Sequence, residues 1–140
     1  YCGTGTLTLP AARQARHVIG LELVQSSIDD AKANALRNQL ENTEFHAMDL
    51  HAKGAIEALQ ELPRPDVVMI DPPRAGMHPA VVAHVGEIGA DRISYVSCNP
   101  ATLARDCALL DEVYSVEEVT PVDMFPQTFH VEAVARLRKR

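Results

Sequence analysis

The sequence predicts an α/β fold with a mostly parallel sheet, an antiparallel last strand, and a first strand that is missing or truncated. Three observations carry this. Apolar runs of strand length alternate with helix-period stretches as far as residue 110, the pattern of repeated βαβ units. The last two extended runs have no helix between them, so the second must return antiparallel to the first. A glycine-bearing loop, Tyr1-Cys2-Gly3-Thr4-Gly5-Thr6, opens the chain with no strand ahead of it.

Each element has its own signal. His17–Leu23 is a short β-branched run. Ser26 with Asp29 has capping-box spacing, and Ile28, Ala31, Ala35 and Leu36 then follow a helical period. Glu44–Met48 is the next strand candidate, and a helix over 53–62 places Ile56, Leu59 and Leu62 on one face. Asp66–Ile70, bounded by Pro65 and Pro72, is apolar throughout, which predicts a fully buried parallel strand. A helix follows over 79–88, starting at Pro79; then a strand over Arg92–Val96 and a helix over Thr102–Leu110. Tyr114–Val119 and Glu132–Leu137 are the closing strands. With no strand ahead of Tyr1, the runs at 17–23 and 66–70 lose a shared neighbour. The exposed gap is expected to be closed by another chain, a swapped segment or a rearranged sheet, so a homo-oligomer of this fragment is one outcome.

Composition sets the outer limits. A chain of 140 residues with 46% apolar and 23% charged residues holds one domain with one core and is not disordered. No apolar run reaches the length of a membrane span, and no secretory signal pattern appears. Cys2, Cys98 and Cys107 are odd in number and lack metal-ligand spacing, which argues for a reducing, cytoplasmic setting without disulfides or zinc. His17, His46, His51, His78 and His84 show no paired spacing and are assigned no metal. The net charge of −6 opposes a surface built to grip a polyanion. The one concentrated basic stretch, Arg136, Arg138, Lys139 and Arg140, reads equally as a solvated strand end or an RNA contact.

Ligands of such sheets sit beyond the carboxyl ends of the strands, so the residues there are the site candidates. Gly3 and Gly5 permit close backbone approach but lack the third glycine of a dinucleotide fingerprint. Glu22 ends its strand where an acid can accept ribose hydroxyls, and Asp49 follows the next strand in the same manner. Three such positions in register indicate a nucleoside-bearing cofactor, NAD or S-adenosylmethionine. Asp71-Pro72-Pro73-Arg74 forms a rigid turn that either terminates the strand or aims Asp71 into a cleft. Asn99 can cap the following helix with Pro100 at its first position, leaving Cys98 beside a helix N-terminus. That positive end favours the thiolate over the ordinary thiol. Cys107 falls mid-helix and reads as a small core residue, as does Cys2. Glu132 opens an apolar strand and brings a carboxylate to the cleft edge; His130 reads as a packed imidazole rather than a second base.

Four strings together carry a family signature: Tyr1-Cys2-Gly3-Thr4-Gly5-Thr6; Asp71-Pro72-Pro73-Arg74; Ser97-Cys98-Asn99-Pro100-Ala101-Thr102-Leu103-Ala104-Arg105-Asp106; and Asp123-Met124-Phe125-Pro126 with His130-Val131-Glu132. The chain resembles the catalytic domain of the RNA 5-methyluridine (uracil-C5) methyltransferases, closer to the 23S ribosomal RNA members than to the transfer-RNA members. The resemblance implies a Rossmann-like S-adenosylmethionine-dependent methyltransferase fold over residues 1–140, with Cys98 as nucleophile and Glu132 as general base. It implies cofactor contacts from Tyr1, Gly3, Gly5, Thr6, Glu22, Asp49 and Asp71, and substrate contacts from Asp71 and Arg74. RNA is the implied partner, ribosomal ahead of transfer, and no membrane is involved. The family's N-terminal RNA-binding part, and the cysteines that hold an iron–sulfur cluster in many members, have no counterpart in these residues.

Three other readings stand beside it. A nicotinamide-dependent oxidoreductase shares the glycine loop and Glu22 but leaves Asp71–Arg74 and Cys98 unexplained. An RNA cytosine-C5 methyltransferase is expected to carry a second cleft cysteine. A catalytically silent binding fragment would keep the fold alone.

Overall fold

The computed structural model describes residues 1–140. They divide into two compact units, Tyr1–Ala52 and Lys53–Arg140.

In the first unit the glycine loop runs into a short helix α1 (Thr8–Ala12), which has no counterpart among the sequence expectations. Strand β1 (Val18–Glu22), helix α2 (Gln25–Arg37) and strand β2 (Thr43–Ala47) complete one right-sized βαβ unit, with β1 and β2 parallel. Helix α2 starts two residues earlier than its Ser26 signal implies. Val24 is the N-cap and no side chain caps the helix; Gln25 instead donates to Asp29 Oδ1 at 2.8 Å. The capping-box spacing is therefore not used, because Ser26 and Asp29 both lie inside the helix; Glu22, just upstream, accepts the Leu23 and Val24 amides. The periodic residues Ile28, Ala31 and Ala35 pack on Phe45, with Cys2, Leu9 and Leu40 at the margin. Cys2 is thus a core-edge residue, and burial raises its thiol above the ordinary value.

The second unit begins with α3 (Ala55–Gln60), shorter than the 53–62 stretch expected. It continues through β3 (Val67–Ile70), α4 (Pro79–Ile88), β4 (Arg92–Ser97), α5 (Pro100–Leu110), β5 (Tyr114–Val122) and β6 (Glu132–Lys139). These strands form a sheet in the order β3-β4-β6-β5, parallel between β3 and β4 and antiparallel at both β6 pairings. The antiparallel last strand expected from the missing helix is present. Its core holds Ile70, Val81, Val85, Ile93, Tyr95, Leu103, Leu110, Tyr114 and Leu137.

Strand β3 corrects one expectation. It is an edge strand, and Val67 and Met69 are 49% and 45% exposed, so its continuous apolar run does not mark burial on both faces. A strand paired on one side only leaves alternate residues in solvent. Strands β1 and β3 do not pair with each other. No helix is long and apolar enough to cross a membrane.

Candidate functional site

The first unit gathers three of the proposed cofactor residues. Tyr1, Glu22 and Asp49 line one small open cleft, together with Leu23, Met48, Leu50 and His51. The chain folds this way locally because the Cys2 amide and the Tyr1 amino group both donate to Leu21 O, at 2.9 and 2.8 Å. That seats the start of the glycine loop beside the end of β1. Glu22 then closes the loop: Oε2 accepts from the Gly3 amide at 3.1 Å, and Oε1 accepts from Leu23 and Val24 at 2.8 and 3.1 Å. Partial burial opposes ionisation, but the three backbone donors outweigh it, and the Glu22 carboxyl lies below its usual value. About four acceptor positions exist on a carboxylate, so one remains for a ligand hydroxyl.

Gly3 sits at φ +52 with no atom near a would-be Cβ, so the loop there is open to an approaching ligand. Gly5, at φ +90, is buried against Leu9 and Ala31. Thr6 is exposed and lies outside the cleft lining. Asp49 Oδ1 accepts from the His51 amide at 2.9 Å, shaping the turn that follows β2. Met48, Leu50 and His51 had no signal in the sequence, because only the turn brings them to the cleft.

The second unit assembles the reactive candidates at one end of its sheet. The β4–β6 ladder ends at the pair Ser97↔Ala133. One step beyond it, Cys98 leaves β4 and Glu132 enters β6, which makes them neighbours across the ladder. In the parallel partner, Ile70 pairs with Tyr95, so Asp71 leaves β3 at the same end. Asn99 caps α5 through its own side chain, accepting from Ala101 N at 3.1 Å, with Pro100 in the first turn. Ser97, 2% exposed, donates to Asn99 O and accepts from Asn99 N, both at 3.1 Å. This reciprocal pair fixes the turn that carries Cys98.

Cys98 and Glu132 are half-buried, whereas Asp71 and Arg74 are exposed. Partial desolvation still raises the Asp71 carboxyl above its usual value. The four side chains have no hydrogen bond or ion pair within the protein, although the backbone around them is held firmly. His130 is half-buried and its ring lies 4.3 Å from that of Phe129, tilted by 37°. Cys107 is half-buried, and burial raises its thiol.

Other candidates are placed differently. His17 and His46 both meet Glu44, at 3.2 and 2.7 Å, a grouping that the sequence spacing did not reveal. No group of three His, Cys, Asp or Glu side chains could hold a metal ion. The basic stretch is occupied: Arg136 pairs with Glu118, Arg138 with Glu117 and Arg140 with Asp111, while Lys139 donates to Gly89 O.

Comparison with known proteins identifies the fold and the family. An RNA methyltransferase of Bacteroides thetaiotaomicron, itself described as uncharacterized, is 51% identical over 140 residues, covering 100% of this chain and 31% of that protein. A Staphylococcus aureus protein of the same description is 49% identical over 138 residues, covering 96% of the chain and 30% of that protein. The chain therefore spans about a third of the length of these relatives. The crystal structure of Pyrococcus abyssi tRNA (uracil-54, C5)-methyltransferase in complex with S-adenosyl-L-homocysteine superposes with a TM-score of 0.82 at 37% identity. That match covers 98% of this chain and 32% of the Pyrococcus chain. The N-methyltransferase NodS of Bradyrhizobium japonicum, at 15% identity and a TM-score of 0.73, shares the fold, over 99% of this chain and 74% of its own. The Rossmann-like methyltransferase fold is thereby established. Residues 1–140 match the family described as tRNA (uracil-5-)-methyltransferase, and the chain belongs to that family.

Proposed function

We propose that residues 1–140 are the catalytic domain of an S-adenosylmethionine-dependent RNA (uracil-C5)-methyltransferase. The observation that carries this is the β4–β6 register, which brings Cys98 and Glu132 together one step past the last ladder pair. Family membership sets the oxidoreductase reading aside.

The cofactor cleft fits a charged nucleoside. Leu23, Met48 and Leu50 offer apolar walls for a flat ring, and Glu22 and Asp49 offer acceptors for hydroxyl and amino donors. Tyr1, Gly3, Gly5, Thr6, Glu22, Asp49 and Asp71 are the residues assigned to hold S-adenosylmethionine, which supplies an electrophilic methyl on a sulfonium. The resemblance and the Pyrococcus complex with S-adenosyl-L-homocysteine support this assignment.

Uracil C5 is a weak nucleophile. Addition of the Cys98 thiolate to C6 breaks the C5–C6 double bond and places enolate density on C5, which can then take a methyl group. Glu132 removes the C5 proton, the double bond re-forms, and the Cys98–C6 bond breaks to release the thiolate. A positioned base of this kind contributes about 10²–10⁴-fold. The base must leave its stack to reach both groups, and Asp71 and Arg74 are assigned to receive it.

Two substitutions in the complete protein separate these roles. Cys98→Ala is expected to lose both methylation and covalent RNA adduct; normal turnover by this variant excludes the adduct pathway. Glu132→Gln is expected to accumulate a methylated adduct visible as a shifted protein–RNA band. Full turnover with no adduct removes Glu132 from the base role.

The substrate assigned is 23S ribosomal RNA, on the character of the Cys98 and Glu132 strings. The Pyrococcus relative, named for tRNA uracil-54, favours transfer RNA as the second reading. Mapping the methylated uridine in both RNA pools after incubation with the complete protein decides between them.

A further inference from the structure

Residues 71–78 connect β3 to α4 without regular structure, yet the backbone of Arg74, Ala75 and Met77 is tied to residues 99–106 at the start of α5. Asn99 Nδ2 and Thr102 Oγ1 both donate to Arg74 O, at 3.2 and 3.4 Å. Arg105 Nη2 donates to Ala75 O at 3.1 Å and to Met77 O at 3.0 Å. Asp106 Oδ2 accepts from the Met77 amide at 2.8 Å. Asparagine, threonine, arginine and aspartate at 99, 102, 105 and 106 fall on successive turns of one helix face, which is why a single helix can hold a whole loop.

Asp106 is the centre of this latch. It is fully buried, and each carboxylate oxygen accepts two hydrogen bonds. Oδ2 takes Met77 N and the Tyr95 hydroxyl, the latter at 2.6 Å; Oδ1 takes Arg105 Nε and Nη2, at 2.9 and 2.7 Å. All four acceptor positions are filled, which is the condition under which a buried charge is tolerated. Gly76 completes the fit at φ +76: a Cβ there would lie 2.6 Å from Arg105 Nη2 and 2.7 Å from Asp106 Oδ2.

The latch grips only backbone atoms of the loop and leaves the Asp71 and Arg74 side chains unengaged. It is joined to the turn that carries Cys98, since Asn99, the next residue, both caps α5 and holds Arg74 O. We propose that Asp106, Arg105 and Tyr95 are positioning residues that lock the Asp71–Arg74 turn to the Cys98 helix start, so that base-binding turn and nucleophile act as one rigid body. The proposal rests on the methyltransferase reading above, and it adds three residues to which that reading gives no role.

The test uses Tyr95→Phe, Arg105→Lys and Asp106→Asn in the complete protein, with Cys98→Ala in parallel. Amide exchange at Met77 reads the latch itself. Steady-state methylation reads its effect as a split between kcat and the KM for S-adenosylmethionine. In variants whose thermal midpoint stays near the wild type, Met77 exchange is expected to quicken and kcat to fall about 10- to 100-fold, because small misplacements of reacting groups have effects of that size. The KM for S-adenosylmethionine is expected to change by a smaller factor than kcat, because among the residues assigned to the cofactor only Asp71 lies on the latched turn. If Asp106→Asn does not fold, Tyr95→Phe and Arg105→Lys still decide the matter, since each leaves the carboxylate in place. A folded variant with faster Met77 exchange and unchanged kcat overturns the positioning role, as does unchanged exchange in all three. Methylation that survives Cys98→Ala overturns the methyltransferase mechanism instead, and the positioning role with it.

Discussion

Gly20 lies opposite Phe45 in the β1–β2 ladder, and a Cβ on it would stand 2.7 Å from Phe45 Cδ1 and 3.0 Å from Cys2 Sγ. Gly20→Ala therefore forces the ring or the strand to move, and overpacking of this kind costs about 1–3 kcal/mol. A urea titration is expected to show a lower midpoint with an unchanged slope; an unchanged midpoint means that the ring swings away freely. Within the sequence this glycine is only an interruption in a β-branched run, because its partner is set by register. Asp106 gives the same lesson from the other side. It belongs to a legible string, and its neighbour Arg105 supplies two of its four hydrogen bonds, but the other two depend on Tyr95 and Met77 converging from separate segments. Cys98 and Glu132 were legible as individuals, from a helix-start pattern and an acid opening an apolar strand.

At the scale of elements, the start of α5 was readable from Asn99 and Pro100 because capping is local chemistry. The start of α2 was not, because the helix begins at Gln25 with Val24 as its N-cap, upstream of Ser26, while Glu22 takes the Leu23 and Val24 amides. Those hydrogen bonds have a consequence for pH. The folded Glu22 carboxyl is depressed: burial works against ionisation, and its backbone hydrogen bonds to Val24, Gly3 and Leu23 prevail. A depressed folded pKa contributes stability above the unfolded value of about 4.3 and loses it as pH falls through the lower folded value. The stability of the wild type is therefore expected to drop more steeply below about pH 4 than that of Glu22→Gln, which has no proton to take up there. Parallel acid limbs in denaturation curves for the two proteins would remove Glu22 from that role. Edge strand β3 marks the limit of pattern reading at this scale, since an apolar run looks the same whether one neighbour or two cover it.

For the molecule as a whole, a net charge of −6 and a basic stretch already held by Glu118, Glu117 and Asp111 leave little free positive surface near the C-terminus. Exposed ion pairs of this type are worth at most about 1 kcal/mol each, and a cation already paired gains less from a phosphate. Replacing Arg136, Arg138 and Arg140 together with glutamine is expected to change the slope of log affinity against log salt by less than about one unit. A fall of two units or more, measured with the complete protein on ribosomal and transfer RNA, would make this face the main phosphate contact.

The sequence by itself determined the order of strands and helices, the antiparallel return of the last strand, the helix-start cysteine and the family. All of these are written in local periodicity, capping chemistry and short strings. Tertiary structure alone decided which strand became an edge, that Tyr1, Glu22 and Asp49 share a cleft, and that Cys98 and Glu132 follow the last pair of one ladder on opposite strands. It alone revealed the Asp106 latch. The physical reason is common to these cases: register, burial and carboxylate saturation are properties of pairs of segments far apart in the chain, and no single segment carries them.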